Sequence, residues 1–128
     1  MAHINVNVLE EGFAAFAAGD MATLGSLFTD DVSWHTGGRG RFSGDYEGKD
    51  RVFAYFGEFV SDMDSFSQEL HSVLADDDHG VAQVVGTATR GDDRLDFKNV
   101  LVFHFDNNRV SECWVVPLDP YAADEFWA

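Results

Sequence analysis

Apolar positions along this chain follow helical spacing in the first half and strand-like alternation in the second. Val6, Leu9, Phe13, Phe16 and Ala17 recur at spacings of three and four, which predicts an amphipathic helix over residues 4–18. Gly19 offers a stop. Asp20 offers an N-cap for a short second helix whose apolar side is Leu24, Leu27 and Phe28. Thr29-Asp30-Asp31 reads as a turn into a strand over residues 32–36. Gly37-Gly38-Arg39-Gly40-Arg41 reads as a loop, because clustered glycines disfavour regular structure. The turn Gly44-Asp45-Tyr46-Glu47-Gly48 opens a third helix over residues 49–60, with Val52, Phe53, Phe56, Phe59 and Val60 on its buried side. Four strands follow, over residues 66–75, 81–89, 94–105 and 110–116, separated by acidic, glycine- or asparagine-bearing turns. Val100-Leu101-Val102-Phe103 does not alternate, so both faces of that strand are expected to be covered, one by helices and one by a second subunit. Asp119-Pro120 starts a last helical turn that ends in the aromatic pair Phe126-Trp127.

Composition narrows the class. At 128 residues the chain suits one core, so residues 1–128 are expected to form a single domain. Hydrophobic residues make up 45% and phenylalanine occurs 12 times, which predicts an aromatic interior. A formal charge of -15 repels phosphate backbones and anionic lipid, so neither nucleic acid nor membrane is an expected partner. Solubility is the simpler reading of that acidity. The single cysteine, Cys113, allows no intrachain disulfide and reads as a buried thiol in a reducing compartment. The N-terminus lacks the basic flank and apolar run of a signal peptide, and a soluble cytoplasmic protein is expected.

The element order, with Leu27-Phe28-Thr29-Asp30-Asp31-Val32, the Gly44-Asp45-Tyr46-Glu47-Gly48 turn and Asn108-Arg109-Val110-Ser111-Glu112-Cys113-Trp114, resembles the SnoaL-like branch of the NTF2-like superfamily. That branch includes polyketide cyclases, ketosteroid isomerases and limonene epoxide hydrolases. The resemblance implies a cone-shaped α+β fold in which three N-terminal helices pack on a strongly bent, mostly antiparallel sheet around a pocket. It does not carry one reaction across. The general-base aspartate of the isomerases falls at Thr36 or His35 here, and their oxyanion-hole acid at Asn99 or Leu101. Their helix-one tyrosine has no match, the nearest aromatics being Phe13 and Phe16. The epoxide hydrolase Asp-Arg-Asp set meets Val116 at a partner position, and the acid that cyclases pair with histidine has no evident counterpart.

His35 is the first candidate for chemistry, since an imidazole titrates near neutrality and can move a proton at an acidic C–H. The alternative is a histidine hydrogen-bonded at the sheet edge. Asn99 stands in an otherwise apolar strand, where it either pairs within the protein or donates to a ligand oxygen. Tyr46 could bring its hydroxyl to the pocket mouth, while Asp45 suits capping the turn. Trp34, Trp114, Phe56 and Phe97 are candidate walls for substrate, and Arg39 with Arg41 could hold an anionic group or pair with surface acids. His35, His71 and His104 lack metal-ligand spacing, and Asp76-Asp77-Asp78 lacks the rest of a calcium loop, so no metal is expected.

These residues suggest an enzyme that needs no cofactor. It would act by proton transfer on a mostly apolar, carbonyl-containing small molecule, through isomerisation or enolate-type cyclisation. His35 would move the proton, and Asn99 with Tyr46 would hold the oxygen. Two other readings use the same residues: a small-molecule binder without turnover, and a dimeric interaction module with a filled pocket. A homodimer through the outer face of the sheet is expected.

Overall fold

A computed structural model describes residues 2–128. Helix α1 (Ile4–Ala18) ends at Gly19, whose φ of 70° lets its N–H reach back to Ala15 and Phe16 carbonyls. Helix α2 (Met21–Ser26) is capped by Asp20, whose carboxylate accepts from the Thr23 amide. Strand β1 (Phe28–Thr36) and β2 (Gly44–Glu47) form a hairpin, and α3 (Lys49–Ser61) follows. A meander of β3 (Ser65–Ala75), β4 (His79–Arg90), β5 (Asp93–Asp106) and β6 (Arg109–Pro117) leads to α4 (Pro120–Phe126). The six strands form one sheet in the order β2-β1-β6-β5-β4-β3. Among the described residues only β1 and β6 run parallel.

The expected α+β architecture holds, with four differences. Phe28 leaves the second helix and begins β1, because α2 stops at Leu27. Thr29-Asp30-Asp31 does not turn. It lies within β1, where the five-residue step from Phe28 to Ser33 matches a two-residue step from Val110 to Glu112 on β6, a bulge rather than a reversal. The turn at residues 44–48 contains β2, whose register partners (Trp34↔Tyr46, His35↔Asp45) no apolar alternation announced. On α3 the buried residues are Val52, Tyr55 and Phe56, while Val60 is exposed.

Helices α1 and α3 cover one face of the sheet, α1 against β3 and β4 and α3 against β1 and β2. The inward residues of β5 are Leu95, Phe97, Asn99, Leu101, Phe103 and Phe105, all buried except Asn99. Facing them on β4 are small residues, Gly80, Ala82, Val84, Gly86 and Ala88. The size mismatch is structural. A Cβ on Gly86 would lie 2.3 Å from Phe97 Cζ and 2.4 Å from the Ser67 carbonyl oxygen. Phe97 thus lies across Gly86 and stacks on Phe66 at 5.5 Å. Bulges in the β3–β4 and β5–β6 pairings bend the sheet around these rings.

Gly86→Ala should therefore cost about 2 kcal/mol, within the overpacking range. A urea titration monitored by circular dichroism checks this. An unchanged midpoint would show that Phe97 does not depend on the glycine.

Candidate functional site

Between the helices and the inner face of the sheet lies a chamber of about 120 Å³ that opens to solvent. Phe13 and Phe16 of α1, Tyr55, Phe56 and Phe59 of α3, and Trp34 of β1 form its aromatic wall. Trp34 stacks on Phe28 at 5.8 Å and meets the Phe56 ring edge-on at 4.9 Å. Among the described residues that line it, none is Asp, Glu, His, Lys or Arg. Its polar groups are Gln68 on β3, Asn99 on β5, the Tyr55 hydroxyl and the indoles of Trp34 and Trp127. The Tyr55 hydroxyl is engaged with Thr36 Oγ1 at 2.9 Å, and burial pushes its pKa far up. Cys113 is fully enclosed behind the wall, and burial pushes its thiol up as well.

A second, more polar recess shares Tyr55, Phe59, Phe97, Asn99, Val115 and Trp127 with the chamber. The glycine loop and α4 close over it. Asp124 accepts from the Arg39 amide at 2.7 Å, and the Trp127 carbonyl accepts from the Arg41 amide at 2.7 Å. Gly40 packs so closely on Trp127 that an added Cβ would lie 3.1 Å from the tryptophan Cβ. Asp62, largely buried, holds Arg41 and Arg90 together, and Arg90 lies 4.5 Å over the Phe126 ring.

The structure brings Trp34, Phe56, Phe97 and Asn99 together around the chamber. It separates the other candidates from it. His35 follows inward-facing Trp34, so alternation turns it outward. Trp114 follows fully buried Cys113 and is turned outward for the same reason; the two rings stack at 5.2 Å on the outer face. Tyr46 is buried against Tyr55 at 4.1 Å, and its hydroxyl donates to the Phe42 carbonyl at 2.6 Å, within its own turn. Arg39 is exposed, and its backbone rather than its guanidinium makes the contact with Asp124. His71 sits exposed in the β3 bulge. Among the described residues no group of three or more His, Cys, Asp or Glu could hold a metal.

Sequence reasoning missed Gln68 and the role of Trp127. Gln68 shares the phase of Phe66 and Leu70, so a polar residue in an apolar phase was the available signal. No local pattern could have placed Trp127 in the same wall as Asn99.

His35 has a different chemistry on the outer face. Nδ1 lies 2.6 Å from Asp45 Oδ1, and Nε2 lies 2.7 Å from Glu112 Oε2. Carboxylates only accept, so both bonds require the imidazolium. Partial burial lowers the pKa of His35, but the hydrogen bonds and charges of Asp45 and Glu112 outweigh it and raise the value above the ordinary one. His104, 3.4 Å from Glu112 Oε1, is the other titratable group against this cluster.

A raised folded-state pKa stabilises the fold fully below about pH 6.5 and loses that contribution as pH climbs through the folded value. Urea midpoints should therefore fall as pH rises above about 6.5 in the wild type, and fall less in His35→Gln. Parallel pH profiles for the two proteins would remove the imidazolium bridge.

Among the described residues no helix is long and apolar enough to cross a membrane. A protein from a soil-derived mobile gene cassette is 41% identical, with a TM-score of 0.94 over 99% of this chain and 98% of its own. An NTF2-like protein from Burkholderia xenovorans LB400 has the same fold, with a TM-score of 0.83 at 16% identity over 100% of this chain and 98% of its own. An uncharacterised protein of Mycobacterium tuberculosis, Rv0034, is 29% identical over 126 residues, covering 97% of this chain and 96% of its own. The SnoaL-like domain pattern matches residues 9–113, and the chain belongs to the SnoaL-like family of NTF2-like cone folds.

Proposed function

We propose that this protein binds a largely apolar small molecule inside the cone without moving a proton on it. The observation that carries this reading is the chamber wall: aromatic and aliphatic, with amide, phenol and indole groups but no ionisable group that titrates near neutrality. Such a wall gains from burying apolar surface and uses a few polar atoms to orient what it holds. The proton-transfer reading required His35 at the substrate. With the imidazole on the opposite face of the sheet, bonded to two carboxylates, that reading loses its base. Asn99 lines the wall, and its amide suits a ligand oxygen.

N-phenyl-1-naphthylamine, which brightens in apolar surroundings, should bind one per chain with a dissociation constant on the order of micromolar. Val115→Phe, which fills the chamber from β6, should weaken that binding at least about tenfold while the far-ultraviolet spectrum stays unchanged. No brightening in the wild type would reject the reading.

We also propose that the outer face of the sheet pairs with a second copy of the chain. Its central row runs Leu74, Val81, Val102, Trp114 across four strands, followed by Ser72, Gln83, Val100, Val116. Leu74 is 73% exposed and Val116 46%. These eight positions carry no charge in a chain of net -15. Two such copies repel wherever acids face acids, and a two-fold interface on these rows sets neutral surface against itself. Sedimentation at micromolar concentration should show twice the 14.2 kDa chain mass, and Val81→Asp should halve it. A wild-type monomer would refute the pairing.

A further inference from the structure

The neutral rows of the outer face do not stop at β6. In register, His35 of β1 lies beside Trp114, and Asp45 of β2 lies beside His35. The row that begins at Leu74 therefore runs on into an imidazole and a carboxylate. The adjoining row on the same face carries Glu47, Ser33, Glu112, His104 and His79 across β2, β1, β6, β5 and β4. Side-chain contacts join the two rows. His35 bonds both Asp45 and Glu112, Glu112 reaches His104 at 3.4 Å, and the His104 and His79 rings meet edge-on at 5.0 Å. Trp114 of the pairing surface stacks on His35 at 5.2 Å and meets His104 edge-on at 4.9 Å. An array of acids and imidazoles thus borders the surface that a second copy would cover.

The charge at His35 turns on one proton. As an imidazolium it serves a donor to each of its two carboxylates, and the three groups together carry one net negative charge. As a neutral imidazole it has one donor, so one ring nitrogen turns a lone pair toward a carboxylate, and the net charge doubles. The groups that face His35 are Asp45 from β2 and Glu112 from β6. Glu112 also faces His104, and Asp76 of the β3–β4 turn lies 3.9 Å from His79. Glu47, the remaining acid of the row, accepts from Ser33 Oγ at 2.6 Å. Among the described residues neither row contains lysine or arginine, so only the imidazoles offset these acids. A second copy laid over the neighbouring positions removes water from His35 and Glu112, whose side chains are already only 21% and 30% exposed. Losing water makes uncompensated charge more costly, and the imidazolium reduces that cost. Pairing and protonation therefore favour one another.

Resting on the pairing reading above, we infer that the outer-face dimer is proton-linked: the His35–Asp45–Glu112 cluster lets two copies close in acid and parts them in base. Partial burial lowers the His35 pKa, but Asp45 and Glu112 outweigh it and raise the value above the ordinary one. Pairing is accordingly strongest below about pH 6.5 and weakens as pH climbs through the raised value.

Sedimentation equilibrium at about pH 6 and about pH 8.5 tests this, with far-ultraviolet circular dichroism to verify that the chain stays folded at both. The dimer dissociation constant of the wild type should rise at least about tenfold at the higher pH. His35→Gln leaves the two carboxylates without a cation and should give the weaker constant at both values. Asp45→Asn acts in the opposite direction. Its amide can donate to the ring nitrogen of a neutral imidazole, and Glu112 alone then carries charge. That variant at about pH 8.5 should pair within about threefold of the wild type at about pH 6. A wild-type constant that ignores pH, or a pH dependence that survives in His35→Gln, refutes the proton link and leaves the dimer standing. An Asp45→Asn dimer as weak as the wild type at the higher pH refutes it too. A monomer at both pH values overturns the pairing itself, and the link with it.

Discussion

Two phenylalanines of β5 lie over two glycines of β4, and the interior depends on that fit. A Cβ on Gly80 would stand 2.8 Å from Phe105 Cε2 and 3.1 Å from Leu9 Cδ1, and Gly86 leaves the same kind of room under Phe97. Rings that would otherwise stand off the sheet lie down on it. Leu9 and α1 then approach the β3–β4 end, where Asn5 Nδ2 donates to the Asp76 carbonyl at 3.0 Å. Phe97 in turn stacks on Phe66, which meets Phe16 and Phe59 edge-on. The chamber wall is thus one connected set of rings resting on a strand with little side-chain bulk.

The two faces of the sheet serve different physics. Inside, the phase that includes Val32, Trp34 and Cys113 is nearly water-free, and the polar atoms admitted there are few. Outside, the neighbouring phase places His35, Trp114, Glu112 and His104 in contact. An imidazolium between two carboxylates ties β2, β1 and β6 at the parallel β1–β6 pairing. The stacked indole of Trp114 shields part of it from water. This is an electrostatic staple across strands, and its separation from the chamber keeps charge out of the apolar interior.

Closure at the C-terminal end relies on charge. Asp62 at the end of α3 gathers Arg41 from the glycine loop and Arg90 from β4, and Arg90 reaches the Phe126 carbonyl. Gly38, with φ of 94°, lies so close to Asp124 that a side chain there would collide with its carboxylate. These contacts hold α4 against β5, on the strand that carries Asn99. A short helix of seven residues would not keep that position by its own propensity.

Local chemistry was legible in the chain itself. The caps Asp20 and Asp119 accept from the amides three residues on, as their types predict. The Asn107-Asn108 turn takes positive φ at both positions, which asparagine tolerates. The long meander and the aromatic interior followed from period and composition, and Asn99 stood out as a polar residue within an apolar phase. Alternation correctly grouped Trp114 with Glu112 and Val116 but could not say which phase faces the helices, because period-two patterning is symmetric between the faces. Only packing broke that symmetry, by enclosing Cys113 and Trp34 and so turning Trp114 and His35 outward. The strand β2 has too few apolar residues to signal itself and exists through its ladder to β1. Trp127 and Asn99, far apart in sequence, line the same chamber, and such placement is set by the closed tertiary structure because no local preference encodes it.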